Sequence, residues 1–328
     1  MNAFELAIAR SIPQAIRFLA DGHGRAQVIA GGTDLLGMMK ERLTEPDRLV
    51  NINHIPDLDG ILDPGPDGSF RIGALARLER IRRHPDVAAK YPLLAEAIGA
   101  IATPQIRNMA TLGGNLCQRP RCWYLRGLSF ECSRKGGSIC YATRGENPYH
   151  AILGGYLCFI VHPSDAAPAL VALDARANLA GPEGERSLPL QEFFIGPRVE
   201  ITKENVLKPG EILTSVTLPA PKTTARGRYV KLTQRGAWDF ALASAAVWID
   251  MDEGACREAR ICLGGVAPVP WRAVEAEKLL AGRRIDGGVA AKAAEAALSG
   301  NEPLSGNAYK VRLAKTAVRR ALLAAAAR

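Results

Sequence analysis

The chain has 328 residues, 48% hydrophobic and 23% charged, a composition typical of a soluble globular protein with two or three domains. No run of 18 apolar residues occurs, which argues against a transmembrane helix, and the N-terminus lacks the pattern of a signal peptide. The net charge is +9, but the 42 lysines and arginines are scattered and aromatic residues make up only 6%. We therefore expect a cytoplasmic chain without a nucleic-acid partner.

The first fifty residues predict one α/β unit. Ser11, with a glutamine three residues later, resembles a capping box at the start of a helix. An apolar run at 26–30 predicts a short buried strand, and the Gly-Gly-Thr-Asp turn at 31–34 would cap the next helix through Thr33 or Asp34. In order, the predicted elements are a helix at 11–20, a strand at 26–30, a helix at 35–40 and a strand at 49–52.

A second region starts near residue 56, and a third follows the proline-containing segment 219–224. Between 118 and 155 the apolar periodicity disappears, which is typical of a functional insertion, and regular structure resumes at 156–161. The basic last twenty residues predict an amphipathic helix or, alternatively, a face for an acidic partner. The predicted strands are 70–75, one near 177, 228–232, 245–250 and 259–266, and the predicted helices start at 78 and span 93–101, 165–173, 273–283, 288–298 and the residues from 308.

Three turns at predicted helix starts carry residue types that suit a dinucleotide. The turn at 31–34 follows a strand, where free backbone amides and the helix dipole attract a pyrophosphate, although it is not a GxGxxG fingerprint. The Gly-Gly-Asn segment at 113–115 repeats this chemistry. The turn at 162–165 begins another helix, where its serine or aspartate either contacts a ligand or serves only as an N-cap. Together the three turns indicate one extended cofactor.

Five of the seven cysteines form one cluster with the spacing C-x4-C-x9-C-x7-C-x17-C. Without a predicted secretion signal, such a cluster indicates a metal or redox centre rather than disulfides. Structural zinc sites use paired CxxC motifs, which are missing, so the wide spacing favours a four-iron–four-sulfur cluster. Zinc, or a surface loop without a metal, remains an alternative. Cys256 and Cys262 lie in predicted strands and are interpreted as buried free thiols.

Four motifs carry a resemblance that extends, in order, over essentially the whole chain. They are VIAGGTDLL at 28–36, TPQIRNMATLGGNL at 103–116, HPSDAAPALVALDA at 162–175 and GGVAPVPWRA at 264–273. The chain resembles the FAD-binding subunit of the xanthine dehydrogenase and aldehyde oxidoreductase family of molybdenum hydroxylases.

This resemblance implies an α+β protein with a vanillyl-alcohol-oxidase (PCMH)-type FAD-binding fold in two subdomains, 1–55 and 56–221, followed by a C-terminal α+β domain at 222–328. The first turn would wrap the FAD pyrophosphate, and the GGN segment would contact the flavin and ribityl chain. Asp165 would hold part of the adenosine or ribityl portion, and Lys231 would lie near the isoalloxazine. The implied FAD-binding residues are Val28, Ile29, Ala30, Gly31, Gly32, Thr33, Asp34, Leu35, Thr111, Gly114, Asn115, Asp165 and Lys231.

The insertion, at about 117–158, resembles that of periplasmic-type aldehyde oxidoreductases and 4-hydroxybenzoyl-CoA reductases, which hold a 4Fe–4S cluster on the flavin subunit. Cys117 follows the GGNL motif, where relatives without a cluster can also have cysteine, so it is left out. Basic residues of the insertion either offset the charge of the cluster or form a solvated surface. The implied cluster ligands are Cys122, Cys132, Cys140 and Cys158.

The function implied is electron transfer within an oxidoreductase. A molybdopterin-binding large subunit would oxidise an aldehyde or similar substrate, and a 2Fe–2S small subunit would pass electrons to the FAD, which reduces an external acceptor. No residue of this chain is assigned to substrate chemistry. The alternative within the superfamily is a 4-hydroxybenzoyl-CoA reductase-like subunit with reversed electron flow. The alternatives outside it are a self-contained flavin oxidase and a nucleic-acid-binding protein. A partner's export signal could instead carry the complex to the periplasm.

Overall fold

The computed structural model describes residues 1–22, 24–61 and 65–327. Its strands form three sheets, which draw on residues 5–51, 70–218 and 225–272. No helix in these described ranges is long and apolar enough to cross a membrane. The strands are β1 (Glu5–Ile8), β2 (Ala26–Ile29), β3 (Arg48–Asn51), β4 (Phe70–Gly73), β5 (Arg176–Gly181), β6 (Gly184–Pro189), β7 (Ile212–Leu218), β8 (Ala225–Leu232), β9 (Ala243–Asp252), β10 (Ala255–Gly264) and β11 (Trp271–Arg272).

Local sequence signals mark the start of several α-helices. These begin at a proline or at a capping side chain, because both suit the first turn of a helix. The α-helices are α1 (Ile12–Ala20), α2 (Leu35–Lys40), α3 (Leu78–Arg83), α4 (Pro85–Lys90), α5 (Pro92–Gly99), α6 (Pro104–Met109), α7 (Leu112–Leu116), α8 (Trp123–Arg126), α9 (Ala166–Ala172), α10 (Leu190–Phe193), α11 (Val274–Leu280), α12 (Gly287–Ala297) and α13 (Tyr309–Ala326).

The first sheet is parallel, with the order β1-β3-β2, and α1 packs against it. The Ser11 hydroxyl accepts a hydrogen bond from the Gln14 amide, as the capping-box pattern predicts. The Gln14 side chain reaches the Arg10 amide, one residue earlier than the standard box. β2 ends directly at the Gly-Gly turn, so the parallel arrangement places that turn at the carboxyl edge of the sheet.

The second sheet is antiparallel, with the order β4-β7-β5-β6. Its apolar side chains join those of α5 and α9 in the largest core. The third sheet has the order β8-β9-β10-β11, and side chains alternate across β9: Trp248 faces this core, whereas Val247 and Ile249 face the C-terminal helices. β9 is therefore covered on both faces, and the α13 helix is confirmed as an amphipathic helix that buries Val318 and Leu322.

The insertion contains only short helical turns, and the regular structure predicted at 156–161 is wrong, since this segment is irregular. It is held from the C-terminal side by polar contacts with the start of α13. Asn147 Oδ1 accepts a hydrogen bond from the Gly306 amide (2.7 Å), and Asn307 Nδ2 donates to the His150 carbonyl (3.1 Å). Tyr309 Oη donates to the Pro148 carbonyl (2.9 Å). Hydrogen bonds between residues more than 150 positions apart thus fix the insertion, which contains little regular secondary structure.

Glu79 in α3 is buried and neutralised by three arginines. Its carboxylate accepts from Arg82 (2.5 Å), Arg83 (2.7 Å) and the buried Arg107 (2.7 Å). These hydrogen bonds, with the one from Arg82 contributing most, lower the pKa of Glu79 to about 2 against the opposing effect of burial. Because α6 supplies Arg107, the carboxylate joins α3 to the helix that precedes the GGN segment.

We expect this carboxylate to make stability depend on acid pH. A carboxyl group whose pKa is lower in the folded state stabilises it above the unfolded pKa, and this stabilisation is lost as pH falls from about 4.5 to about 2. The loss should approach about 3 kcal/mol. Glu79→Gln should lower the free energy of unfolding at pH 7 and make it depend less on pH between about 4.5 and about 2. The measurement is urea unfolding at several pH values. The exposed Glu275→Gln is the control, and equal slopes for both variants would contradict the prediction.

Candidate functional site

The turn that joins β2 to α2 presents unpaired backbone amides. Within the described ranges, the N–H groups of residues 31–35 donate no hydrogen bond to the chain. Gly32 has a φ of 69°, a left-handed conformation that favours glycine. Gly31 lies against the Met109 carbonyl, and a Cβ added there would overlap that oxygen. The turn therefore combines free donors with a backbone that only glycine fits, which is the arrangement predicted for an anion site.

Asp34 does not cap α2, although it occupies the N-cap position, so this part of the sequence prediction is wrong. Its carboxylate accepts from the Arg119 amide (2.8 Å), from Arg126 (2.8 Å) and from Arg121 in the insertion. Burial alone would raise the pKa of Asp34, but Arg121 and these hydrogen bonds bring it below its usual value. Asp34 thus joins the Gly-Gly turn to the cysteine-rich insertion.

In the GGN segment, the amides are already used within the chain. Thr111 Oγ1 caps α7 by accepting from the Gly114 amide (3.1 Å), and the Gly113 amide donates to the Ala74 carbonyl (2.8 Å). A Cβ at Gly113 would lie 2.9 Å from that of Ala74, so this glycine is needed for close packing. The segment thus does not repeat the free-amide chemistry of the first turn, and Asn115 offers its side chain instead.

The third turn starts α9, and its serine and aspartate have different roles. Ser164 Oγ accepts from the Ala167 amide (3.0 Å), so Ser164 supplies the capping hydroxyl although Asp165 occupies the N-cap position. The same hydroxyl donates to Asn115 Oδ1 (2.5 Å), which brings the second and third predicted turns together. His162 Nε2 is buried without a partner in the described part of the chain. This unpaired nitrogen belongs to a residue that lines a cleft of about 360 Å³.

Asp165 lies in this cleft and forms a buried ion pair with Lys231. Lys231 Nζ donates to Asp165 Oδ2 (2.8 Å) and to the carbonyls of Ala100 (2.9 Å) and Asp239 (2.8 Å). Tyr229 Oη donates to the other carboxylate oxygen (2.7 Å). Burial raises the pKa of Asp165, and Lys231 opposes that rise. Asp165 and Lys231, predicted separately as FAD-binding residues, thus form with Tyr229 a positioning unit between α9 and β8 that the sequence did not predict.

Removing the cation of this pair should lower the free energy of unfolding. Lys231→Met leaves Asp165 buried without its partner, and such changes lower stability by about 3–5 kcal/mol. Adding Asp165→Asn to this variant should restore part of that loss, because the unpaired charge is gone. The measurement is urea unfolding of both variants, with Lys278→Met as control, since its exposed pair with Glu275 contributes at most about 1 kcal/mol. A loss no larger than the control's would contradict the pairing.

The four cysteines implied as cluster ligands line one small cavity in the insertion. The cavity is closed by Arg134 and His150, and Cys132 and Cys158 are buried. Among the described residues, no three His, Cys, Asp or Glu side chains converge tightly enough to hold a single metal ion. Cys117 is not part of the cavity lining and packs beside the main core. The lining residues are Cys122, Tyr124, Leu125, Cys132, Ser133, Arg134, Cys140, Tyr141, His150, Cys158, Phe159 and Ile160.

Four arginines of the insertion pair with carboxylates and are at least partly buried: Arg119, Arg121, Arg126 and Arg134. Arg134 is 4% exposed and pairs with Glu204 (2.7 Å), as does Arg119 (3.2 Å). Burial raises the pKa of the Cys158 thiol, and the nearby Arg134 lowers it. Arg134 is therefore the basic residue of this group that faces both a carboxylate and a candidate ligand.

The amide-lined turn and the cleft with its buried ion pair suit an extended anionic cofactor, and the family models define the class: a flavin-binding subunit of an oxidoreductase. The family model described as the FAD binding domain in molybdopterin dehydrogenase matches residues 2–221, and that of the CO dehydrogenase flavoprotein C-terminal domain matches 228–325. The chain belongs to the FAD-binding medium subunits of the molybdenum hydroxylase family.

Individual relatives agree with this family. The aldehyde oxidoreductase FAD-binding subunit PaoB of Escherichia coli is 39% identical over 258 residues, 78% of this chain and 79% of the relative. The carbon monoxide dehydrogenase medium chain of Hydrogenophaga pseudoflava is 32% identical and covers 99% of this chain and 98% of its own.

Among solved structures, reconstituted CO dehydrogenase from Oligotropha carboxidovorans has a TM-score of 0.80 and 30% identity, covering 100% of this chain and 99% of its own. The predicted fold class, the binding of FAD and the assignment to an oxidoreductase are confirmed.

Proposed function

We propose that the chain carries electrons through FAD in a molybdenum-containing aldehyde or xanthine-type oxidoreductase, and that it holds an additional 4Fe–4S cluster. The observation that carries the flavin part is the row of unpaired amides at 31–35, which matches the negative charge of a pyrophosphate. When bound, FAD accepts two electrons and releases them to an acceptor. The role of the chain's own groups would be to orient the bound flavin. Electron transfer through FAD requires no nucleophile or proton-transfer group from this chain.

The proposed FAD-binding residues fall into three groups. Residues 28–35 would wrap the pyrophosphate. Thr111, Gly114 and Asn115 would shape the flavin and ribityl site, with the Asn115 amide as the side chain available for contact. Asp165 would hold the adenosine or ribityl portion, while Lys231 would lie near the isoalloxazine. Its three acceptors would hold the ammonium group of Lys231 in one position.

The fit of the cysteines favours an iron–sulfur cluster over zinc. A zinc ion requires four ligands at about 2.3 Å from one point, whereas each of the four thiolates around a 4Fe–4S cluster binds a different iron. The thiols surround a cavity and, among the described residues, do not converge on one point, which matches the second arrangement. We therefore propose Cys122, Cys132, Cys140 and Cys158 as the ligands. The irregular chain of the insertion supplies them from separate positions.

The proposed partners are a molybdopterin-binding large subunit and a small subunit with 2Fe–2S clusters. Support comes from the relatives, which are named as medium chains or subunits, and from the aldehyde oxidoreductase named among them. Electrons would pass from the small subunit's clusters to the FAD and then to an external acceptor. Aldehydes are the substrate class that the more similar of these two relatives favours.

The test is purification of the chain in complex with its partners, followed by measurement of molybdenum, flavin, iron and acid-labile sulfide. We expect one FAD per chain, iron in excess of that in the small subunit, and aldehyde-dependent reduction of a dye. A complex with FAD but no excess iron would contradict the cluster, and reduction of dye by the isolated chain would contradict the electron-transfer role. Dehydroxylation driven by reduced ferredoxin would indicate the reversed direction of electron flow.

A further inference from the structure

Three side chains separate the cleft that contains Asp165 from the cysteine cavity. Cys122, His150 and Ile160 line both spaces, so they form a shared wall. The remaining proposed ligands do not line the cleft. Cys122 is therefore the candidate ligand that lies next to the cleft containing Asp165, a proposed FAD-binding residue.

The imidazole of His150 contacts the sulfur of Cys122. Its Nε2 lies 3.2 Å from Cys122 Sγ, a hydrogen-bonding distance for sulfur. The other ring nitrogen, Nδ1, is buried and has no partner within the described ranges. The edge of the Trp123 ring packs against the imidazole, with 5.5 Å between ring centroids. The contact with Cys122 is thus the polar contact made by this ring.

The backbone of His150 is fixed from the C-terminal helix. The fully buried Lys310 in α13 donates to the His150 carbonyl (2.9 Å) and to the Gly265 carbonyl (2.6 Å). Asn307 donates to the same His150 carbonyl (3.1 Å). Two side chains from one region distant in sequence therefore fix the backbone that carries the imidazole, as expected for a residue whose orientation matters.

We propose that His150 donates a hydrogen bond from Nε2 to the Cys122 sulfur and thereby raises the reduction potential of the cluster on its flavin-facing side. The inference rests on the proposed cluster. The reduced cluster carries more negative charge on its sulfurs than the oxidised one. A hydrogen bond to a ligating sulfur therefore stabilises the reduced state more, and the potential rises.

The test uses two substitutions in the full complex, His150→Leu and His150→Gln. Leucine removes the donor, whereas glutamine retains an N–H group. The midpoint potential of the cluster is measured by redox titration followed by EPR, with iron and acid-labile sulfide per chain as a second readout. His84→Gln is the matched control, because His84 also has an unpartnered ring nitrogen within the described ranges but lies outside both cavities.

We expect a more negative potential in His150→Leu, a value closer to the original in His150→Gln and no change in His84→Gln. Loss of iron in the leucine variant alone also supports the donated hydrogen bond. Iron retained with an unchanged potential in both variants, or iron lost from both, overturns it. Absence of iron in excess of the small subunit's from the unmodified complex would instead overturn the proposed cluster, so the two failures are distinguishable.

Discussion

Replacing Cys158 with alanine should remove the cluster, so that iron falls from about four atoms per chain in excess of the partners' toward zero. Cys158 is 4% exposed, lines the cysteine cavity and faces Arg134. A four-thiolate cluster that loses one buried ligand has no other thiol in the described cavity lining to replace it. Iron and acid-labile sulfide in the purified complex, together with the absorption of the cluster, provide the measurement.

Cys117→Ala is the matched control for this change. Cys117 is close in sequence to the ligands, but its side chain packs beside the main core, and burial, aided by Glu204, raises the pKa of its thiol to about 12. We expect this variant to keep its full iron content. The opposite result, with iron lost from Cys117→Ala and kept in Cys158→Ala, would show that Cys117 rather than Cys158 is a cluster ligand.

Gly31→Ala should weaken FAD binding at least about tenfold, equivalent to about 1.4 kcal/mol of binding free energy. The added methyl group would overlap the Met109 carbonyl, so the turn must shift and its amides would no longer converge on the pyrophosphate. The flavin-to-protein ratio after gel filtration and titration of the apoprotein with FAD provide the measurements. A thermal unfolding curve of the apoprotein shows whether the fold is retained.

Gly37→Ala is the control for the glycine substitution. Gly37 lies in α2, a few residues further along, and an added Cβ would meet nothing within 4 Å. Alanine should therefore leave FAD binding unchanged and stabilise the helix by about 0.5–1 kcal/mol. If both variants bind FAD as the original chain does, the turn at 31–35 is not the pyrophosphate site.

Several elements of the fold follow from local patterns and were predicted within a few residues. The α1 helix begins at its predicted cap, Ser11, and α9 follows the predicted turn at 162–165. The strands β8, β9 and β10 likewise match apolar runs in the sequence. Caps and periodicity act between residues at most about four positions apart, so the sequence shows them directly.

Two further strands, β1 and β6, were not predicted because their apolar pattern is weak. In β1, a single residue of four is buried, and β6 is a polar edge strand whose side chains are mostly exposed. Both are strands because a neighbour pairs with them: β3 with β1, and β5 with β6. Strand formation here depends on the partner rather than on the segment's own hydrophobicity.

By itself, the sequence determined the order of the motifs, the glycines of the first turn and the grouping of cysteines in one insertion. Only the tertiary structure decided which groups meet: Asp34 pairs with the arginines of the insertion instead of capping α2, and Asp165 joins Tyr229 as well as Lys231. The amides of the GGN segment proved to be used internally. The physical reason is distance along the chain, since the hydrogen-bonding partners lie from 64 to 92 positions apart, and no local pattern specifies which buried charge or donor will face another.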